Sequence, residues 1–276
     1  MNARLSVTLP QFRREAASML DAARRAEDLG FDGVFVFDHL FPLGSPDRPI
    51  FEGFVALGAV AASTSKITIG TLVTRAPIRP AWTTAKAAWS AQAISGGRLT
   101  LGLGAADSMS KPEFEAYGIH FGSARERVDS VRDTIDALNA PELRLPGIAV
   151  PKTWIGGRSS AVRALAAEIA DGWNAWGGSA DQLAVESAEI RTQAGRPFEV
   201  SWGGQVLLAP DETHLAEQLA QRDDVDRLVA GTPERVAEQL QGLEAAGADE
   251  LVLSLLSSPD WDSWELFSEE VRPLLV

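Results

Sequence analysis

One local pattern recurs along the chain: a helix end, a small turn, then the start of a buried strand. Glu27-Asp28-Leu29-Gly30-Phe31-Asp32-Gly33-Val34-Phe35-Val36 is the first copy. Glu168-Ile169-Ala170-Asp171-Gly172-Trp173-Asn174 and Glu244-Ala245-Ala246-Gly247-Ala248-Asp249-Glu250-Leu251-Val252-Leu253 echo it. The spacing between copies is irregular, so they are βα modules and not the repeats of a solenoid. The strand in the first copy, Val34 to Phe37, is four apolar residues in a row. Such a run is buried on both faces, as in a parallel sheet covered by helices.

The rest of the chain alternates in the same way. Arg4 to Leu9 reads as a short alternating strand. Strands also fall at Ile67–Val73, Leu99–Leu103, Thr153–Ile155, Trp173–Trp176, within Phe198–Leu208, and at Leu251–Leu255. Helical periodicity covers Arg14–Leu29, Phe54–Ala62, Trp82–Ser95, Ser123–Asn139, Ala161–Ala170, Asp181–Ala194, His214–Arg222, Glu234–Ala246 and Trp264–Leu275. Eight strands with interleaved helices close into a (β/α)8 TIM barrel, and 276 residues suits one such unit spanning 1–276. Pro141 to Pro151 is the expected surface excursion.

Bulk properties exclude several functions. The formal charge is −13 and no Lys/Arg run exceeds two residues. That argues against nucleic acid and anionic membranes as partners. No Cys is present, and three His residues lie far apart, so no metal site is expected. No secretory leader or membrane-length apolar run is visible, so a cytoplasmic location is expected.

Candidate chemistry collects where strands end. The run Val34-Phe35-Val36-Phe37 gives way to Asp38 and His39, and Pro42 stops the strand. The carboxyl-end rim of such a barrel is where active sites are built. His39 is therefore either a proton-handling group, with Asp38 beside it, or a rim residue that only packs. Neighbouring strand residues point to opposite faces, so the two need not touch. Gly70, within Ile69-Gly70-Thr71-Leu72-Val73, marks either a close approach by a flat ring or a simple irregularity. Gly102, Gly104, Ala105 and Ala106 give a smooth strand end, and Asp107 adds a second rim carboxylate or a helix cap. Gly156-Gly157-Arg158-Ser159 before an Ala-rich helix reads as a phosphate site. Trp176-Gly177-Gly178 would sit beside it. Trp82, Trp89, Trp173, Trp176 and Trp202 are candidate pocket walls. Arg75 and Arg79 read as a solvated pair or as ligands for an anionic tail.

These pieces, in this order, resemble the bacterial luciferase-like superfamily of flavin- and deazaflavin-dependent oxidoreductases. The carriers are the stretch Ala26 to His39, Ile69-Gly70-Thr71, Gly97 to Gly104, Glu113 to Gly118, Ile155-Gly156-Gly157, Asp171 to Asn174 and Val229 to Glu238. The resemblance implies a flavin-type ring over the barrel top and a bulge at Thr71-Leu72-Val73, often with a non-prolyl cis peptide. It implies phosphate binding at Gly156, Gly157, Arg158, Ser159, Gly177 and Gly178. Asp38, Gly70, Thr71, Leu72, Val73, Gly104, Ala105, Ala106 and Trp176 complete the implied cofactor site. His39 matches the catalytic proton-handling position, and Asp107, matching a carboxylate near the ring, is expected to assist it in catalysis.

Asp38-His39-Leu40-Phe41-Pro42 resembles the branch that uses coenzyme F420 for hydride transfer to or from a small-molecule substrate. FMN with dioxygen, as in a monooxygenase, is the alternative, and a non-catalytic binding or dimerising barrel a third. Sugar-phosphate dehydrogenases of the F420 branch carry Trp where this chain has Leu43, so their substrate is not implied. The segment from Gly203 to Thr232 is lean, which fits an open pocket or one closed by a second subunit of a homodimer.

Overall fold

The computed structural model describes residues 1–12, 15–42, 44–258 and 260–275. The expected helix start at Arg14 and the Leu43 position lie outside them. Strands β1 (Arg4–Thr8), β2 (Gly33–Val36) and β3 (Thr68–Thr71) pair in parallel, in order. A two-residue strand, β4 (Thr74–Arg75), follows β3 and pairs with β5 (Leu99–Gly104). The sheet continues through β6 (Lys152–Gly156), β7 (Gly172–Trp176) and β8 (Glu199–Leu208). A short β9 (Val229–Gly231) extends β8 at its end, and β10 (Glu250–Leu255) pairs with both β8 and β1. That last double pairing closes the barrel, so the eight strands read from sequence form its wall. β4 and β9 were not anticipated, being too short to show a period.

The outer ring is α1 (Ala16–Asp28), α2 (Gly53–Ser63), α3 (Ala81–Ile94), α4 (Lys111–Ala116), α5 (Ala124–Asn139), α6 (Ser160–Ile169), α7 (Ala180–Ala194), α8 (Glu212–Leu219) and α9 (Pro233–Ala245). Ser123 and Glu126 form a reciprocal capping box at the start of α5, satisfying two amides the helix would leave bare. The expected closing helix Trp264–Leu275 is instead α10 (Ser263–Leu266), a wider π-type turn and a 3-10 turn. β1 also departs from expectation: Leu5, Ser6, Val7 and Thr8 are all buried, because helices cover one side and the barrel interior takes the other.

The interior is a packed core. Phe35 on β2 stacks on Trp154 on β6 with centroids 5.6 Å apart. Those strands are not neighbours in the sheet, so the contact spans the barrel. Leu72 and Val252 join the pair. Below this layer Ser6 Oγ donates to Glu250 at 2.6 Å, Arg4 pairs with Glu250 and Glu199, and Lys152 pairs with Glu199. With the bottom of the barrel filled, the open end is the rim at the carboxyl ends of the strands.

Candidate active site

A cavity of about 1590 Å³ opens at that rim. It is larger than the usual small-molecule pocket, with room for a large cofactor and a substrate together. Its lining includes His39, Leu72, Val73, Gly104, Ala105, Ala106, Asp107, Gly156, Gly157, Arg158, Ser159 and Trp176. These come from five different strand ends, so the barrel assembles in space what is scattered in sequence. Asp38, Gly70, Thr71, Gly177 and Gly178 are not part of the wall.

The end of β2 is held residue by residue. The Phe37 amide donates to Gln11 Oε1 at 2.7 Å, tying it to the loop after β1. Asp38 is 2% exposed, and Arg79 donates to both its carboxylate oxygens at 2.6 and 2.7 Å. Arg79 also pairs with Glu52. His39 points elsewhere: its Nδ1 lies 2.9 Å from Glu113 Oε1, and its Nε2 lies 3.1 Å from an Arg75 guanidinium nitrogen. Arg75 further donates to both Glu113 oxygens, at 2.9 and 3.0 Å, and the Leu40 amide donates to Glu113 at 2.8 Å. Arg75 and Arg79 are thus neither a solvated pair nor free for an anionic tail. Each is committed to a buried carboxylate, because an unpaired carboxylate there would be too costly.

Glu113 is fully buried yet ionises more easily than an ordinary glutamate. Burial pushes its carboxyl up, but hydrogen bonds from His39 and the Leu40 amide and the charge of Arg75 together outweigh it. Burial also draws the Arg75 guanidinium below its ordinary value, against the nearby carboxylates. A guanidinium remains a cation in proteins and has no acceptor atom. Its N–H facing Nε2 therefore makes Nε2 an acceptor, leaving the neutral imidazole with its proton on Nδ1, shared with Glu113. The carboxylate that reaches His39 is Glu113, not Asp107. Asp107 instead caps the turn after β5, accepting from the Ser110 amide at 3.2 Å and its hydroxyl at 3.1 Å. Glu113, and Arg75 as a partner of His39, escape the sequence reading because 74 and 36 residues separate them from His39.

The glycines at the rim serve close packing within the protein. A Cβ on Gly70 would lie 2.4 Å from the Phe35 ring, so the flat ring it admits is the chain's own. A Cβ on Gly102 would lie 2.2 Å from the Thr71 carbonyl oxygen. On Gly104 and Gly156 it would meet the Val73 side chain at 2.6 and 2.8 Å. The smooth end of β5 thus receives the segment Thr71–Val73, whose Leu72–Val73 peptide is cis. Val73 is left facing the cavity, beside Ala105 and Ala106.

On another wall, Gly157 turns with a φ of +132°, which a side chain would oppose, and Ser159 caps α6. The first turn of α6 presents amides that a helix leaves without partners. Arg158 is less available: it pairs with Glu186 and donates to the Gly177 carbonyl. A Cβ on Gly178 would collide with that guanidinium at 2.5 Å. The Gly177-Gly178 turn therefore holds the guanidinium of Arg158, which is part of the wall. Arg127, unassigned from sequence, lines the cavity, stacked 4.1 Å over Phe121 and donating to the Ala105 carbonyl at 3.2 Å.

Aromatic rings flank the imidazole. Phe37 stacks on Phe12 at 5.5 Å and meets Trp176 edge-on at 5.9 Å. Of the tryptophans expected as walls only Trp176 serves. Trp89, Trp173 and Trp202 are buried in the layer between strands and helices, and Trp82 faces outward on α3. Trp261 and Trp264 line the far side instead. Among the described residues no cluster of His, Cys, Asp and Glu could hold a metal ion, and no helix is long and apolar enough to cross a membrane.

Comparison with known proteins places this geometry. Residues 3–228 match the family described as luciferase-like monooxygenase. The chain is 30% identical to 5,10-methylenetetrahydromethanopterin reductase of Methanolobus tindarius, over 82% of this chain and 72% of that one. It is 26% identical to F420-dependent glucose-6-phosphate dehydrogenase of Kribbella flavida, over 93% of each. Among solved structures it is similar in fold to an F420-dependent secondary alcohol dehydrogenase in complex with an F420-acetone adduct, at TM-score 0.82, 18% identity and full coverage of both chains. EDTA monooxygenase from Chelativorans sp. BNC1 is as similar, at TM-score 0.81 and 18% identity over all of this chain and 93% of that one. With a family match over most of its length and a closed barrel that opens a cavity at its carboxyl-end rim, the chain belongs to the luciferase-like family of F420/flavin-dependent oxidoreductases.

Proposed function

We propose that the protein is an F420-dependent oxidoreductase that moves a hydride between the cofactor and a small organic substrate, with His39 as general acid/base. The observation that carries this reading is that His39 and Arg75, both bonded to the buried Glu113, face a cavity that also exposes Val73, Ala105 and the α6 N-terminus. The residues fit a flat cofactor with an anionic tail. Leu72, Val73, Gly104, Ala105 and Ala106 would lie under the ring, and Gly156, Gly157, Ser159 and the α6 amides would take the phosphate. Asp38, Gly70, Thr71 and the Gly177-Gly178 turn support that surface from behind, Arg158 flanks it, and Trp176 closes its edge. The deazaflavin supplies the hydride chemistry; the protein binds, orients and moves the proton. Glu113 orients the imidazole in the place Asp107 was expected to assist. The working unit is a single barrel acting on a small molecule, as a homodimer in the cytoplasm.

Titrating the purified protein with F420 and with FMN, followed by fluorescence, tests the cofactor. Saturable F420 binding with no FMN binding is the expected result. The reverse would support the second reading, a monooxygenase using reduced FMN and dioxygen, which the family description and the likeness to EDTA monooxygenase favour. Binding of neither would leave a barrel without catalysis. His39→Ala is expected to keep cofactor binding and lose about 10²–10⁴-fold in turnover. Loss of binding instead would make His39 structural.

A further inference from the structure

We propose that Arg75 is a positioning residue that keeps His39 Nε2 as an unprotonated acceptor, and that Nε2 takes a proton only when the guanidinium leaves it. The inference rests on the reading of His39 as the proton-handling group and adds the device that sets its resting state. Two partners act on the ring in opposite senses. Glu113, at 2.9 Å from Nδ1, requires a proton there and by its charge invites a second on Nε2. A buried carboxylate with an imidazole alone would thus favour the imidazolium. Arg75 opposes this directly: it places a donor 3.1 Å from Nε2, where an added proton would meet an N–H of a cation.

Arg75 does this without being lost from the site. Its other terminal nitrogen holds both Glu113 oxygens, at 2.9 and 3.0 Å, so one guanidinium bridges the carboxylate and the ring. When Nε2 accepts a proton, the Nε2 contact becomes repulsive while the Glu113 contact stays attractive. The guanidinium can swing off the ring and keep its anchor.

Among the described residues the other charges nearby are bonded elsewhere. Asp38 faces Arg79, which also holds Glu52. Asp107 acts on Arg75 from the turn after β5, where its carboxylate caps Ser110. The aromatic rings of Phe12 and Phe37 lie beside the imidazole, at centroid distances of 6.3 and 6.2 Å. A substrate hydroxyl reaching Nε2 must replace the Arg75 N–H, so the imidazole is presented to substrate as a base.

The test uses the whole protein without cofactor, labelled with ¹⁵N-histidine. Only His39, His120 and His214 contribute, so variants at the other two assign the spectrum. At neutral pH His39 is expected to show a pyrrole-type Nδ1 and a pyridine-type Nε2. In Arg75→Met the pH at which Nε2 gains its proton is expected to rise by about one unit or more, a tenfold gain in proton affinity. Arg75→Lys keeps a cation beside Glu113 and so protects folding, but a compact ammonium cannot bridge both partners. It is expected to show a smaller rise. A proton on Nε2 in the wild type at neutral pH overturns the proposal, as does an unchanged titration in both variants. Failure of the oxidoreductase reading appears separately: the wild-type spectrum is as expected, but no cofactor binds.

Discussion

The Val73 side chain occupies the position where a Cβ on Gly104 would stand, 2.6 Å away. Two residues earlier on β5, Gly102 stands in the same relation to the Thr71 backbone, at 2.2 Å. The cavity floor is therefore built by glycines receiving the segment that follows β3.

Gly102→Ala forces a methyl group onto a carbonyl oxygen that belongs to the barrel wall and cannot rotate away. A loss of about 1–3 kcal/mol is expected, read as a lower thermal midpoint. Gly58→Ala is the opposite case. Gly58 lies within α2 with nothing near its missing Cβ, so alanine is expected to stabilise by about 0.5–1 kcal/mol. Equal effects from the two substitutions would contradict this packing.

Arg79 neutralises Asp38 through a two-pronged contact where the carboxylate is almost completely buried. Arg79→Ala is expected to cost about 3–5 kcal/mol, because it strands that charge. Arg79→Lys restores charge but not the fork, so it recovers only part of the loss. Denaturant unfolding of the three proteins measures it; full recovery by lysine would mean that the fork geometry is unimportant.

Glu113 makes the protein's stability fall in acid. Its carboxyl is held below the ordinary 4.5 in the folded protein. The stability it contributes is complete above that value, where the unfolded chain is ionised too. It is lost as the pH drops through the lower folded value and the carboxylate takes up its proton. Glu113→Gln is expected to be less stable at pH 7 yet to have a shallower decline below about pH 4.5. Thermal midpoints between pH 3 and 7 decide the matter, and parallel curves would show that Glu113 carries no such linkage.

Placing His39 at the cavity rim was within reach of the sequence; reading its environment was not. The β2 run announces a doubly buried strand, and the abrupt change at Asp38 marks where it meets the cavity. His39 follows from that position alone. Its partner was assigned to the carboxylate that looked nearest, Asp38 by chain order or Asp107 by rim position. Glu113 sits on a six-residue helix in a stretch that carries the family resemblance but bears no mark of a pairing with His39.

What the order of residues determined by itself was the barrel. Eight buried apolar runs, each separated by a helical period, have one closed parallel solution, and period and polarity are properties of neighbours along the chain. The tertiary structure alone decided which charges meet. Arg75 to Glu113 joins β4 to α4 and Arg79 to Asp38 joins two loops, and such a charge looks the same in sequence whether water or a carboxylate receives it. Only closure of the barrel removes the water and makes the pairing obligatory.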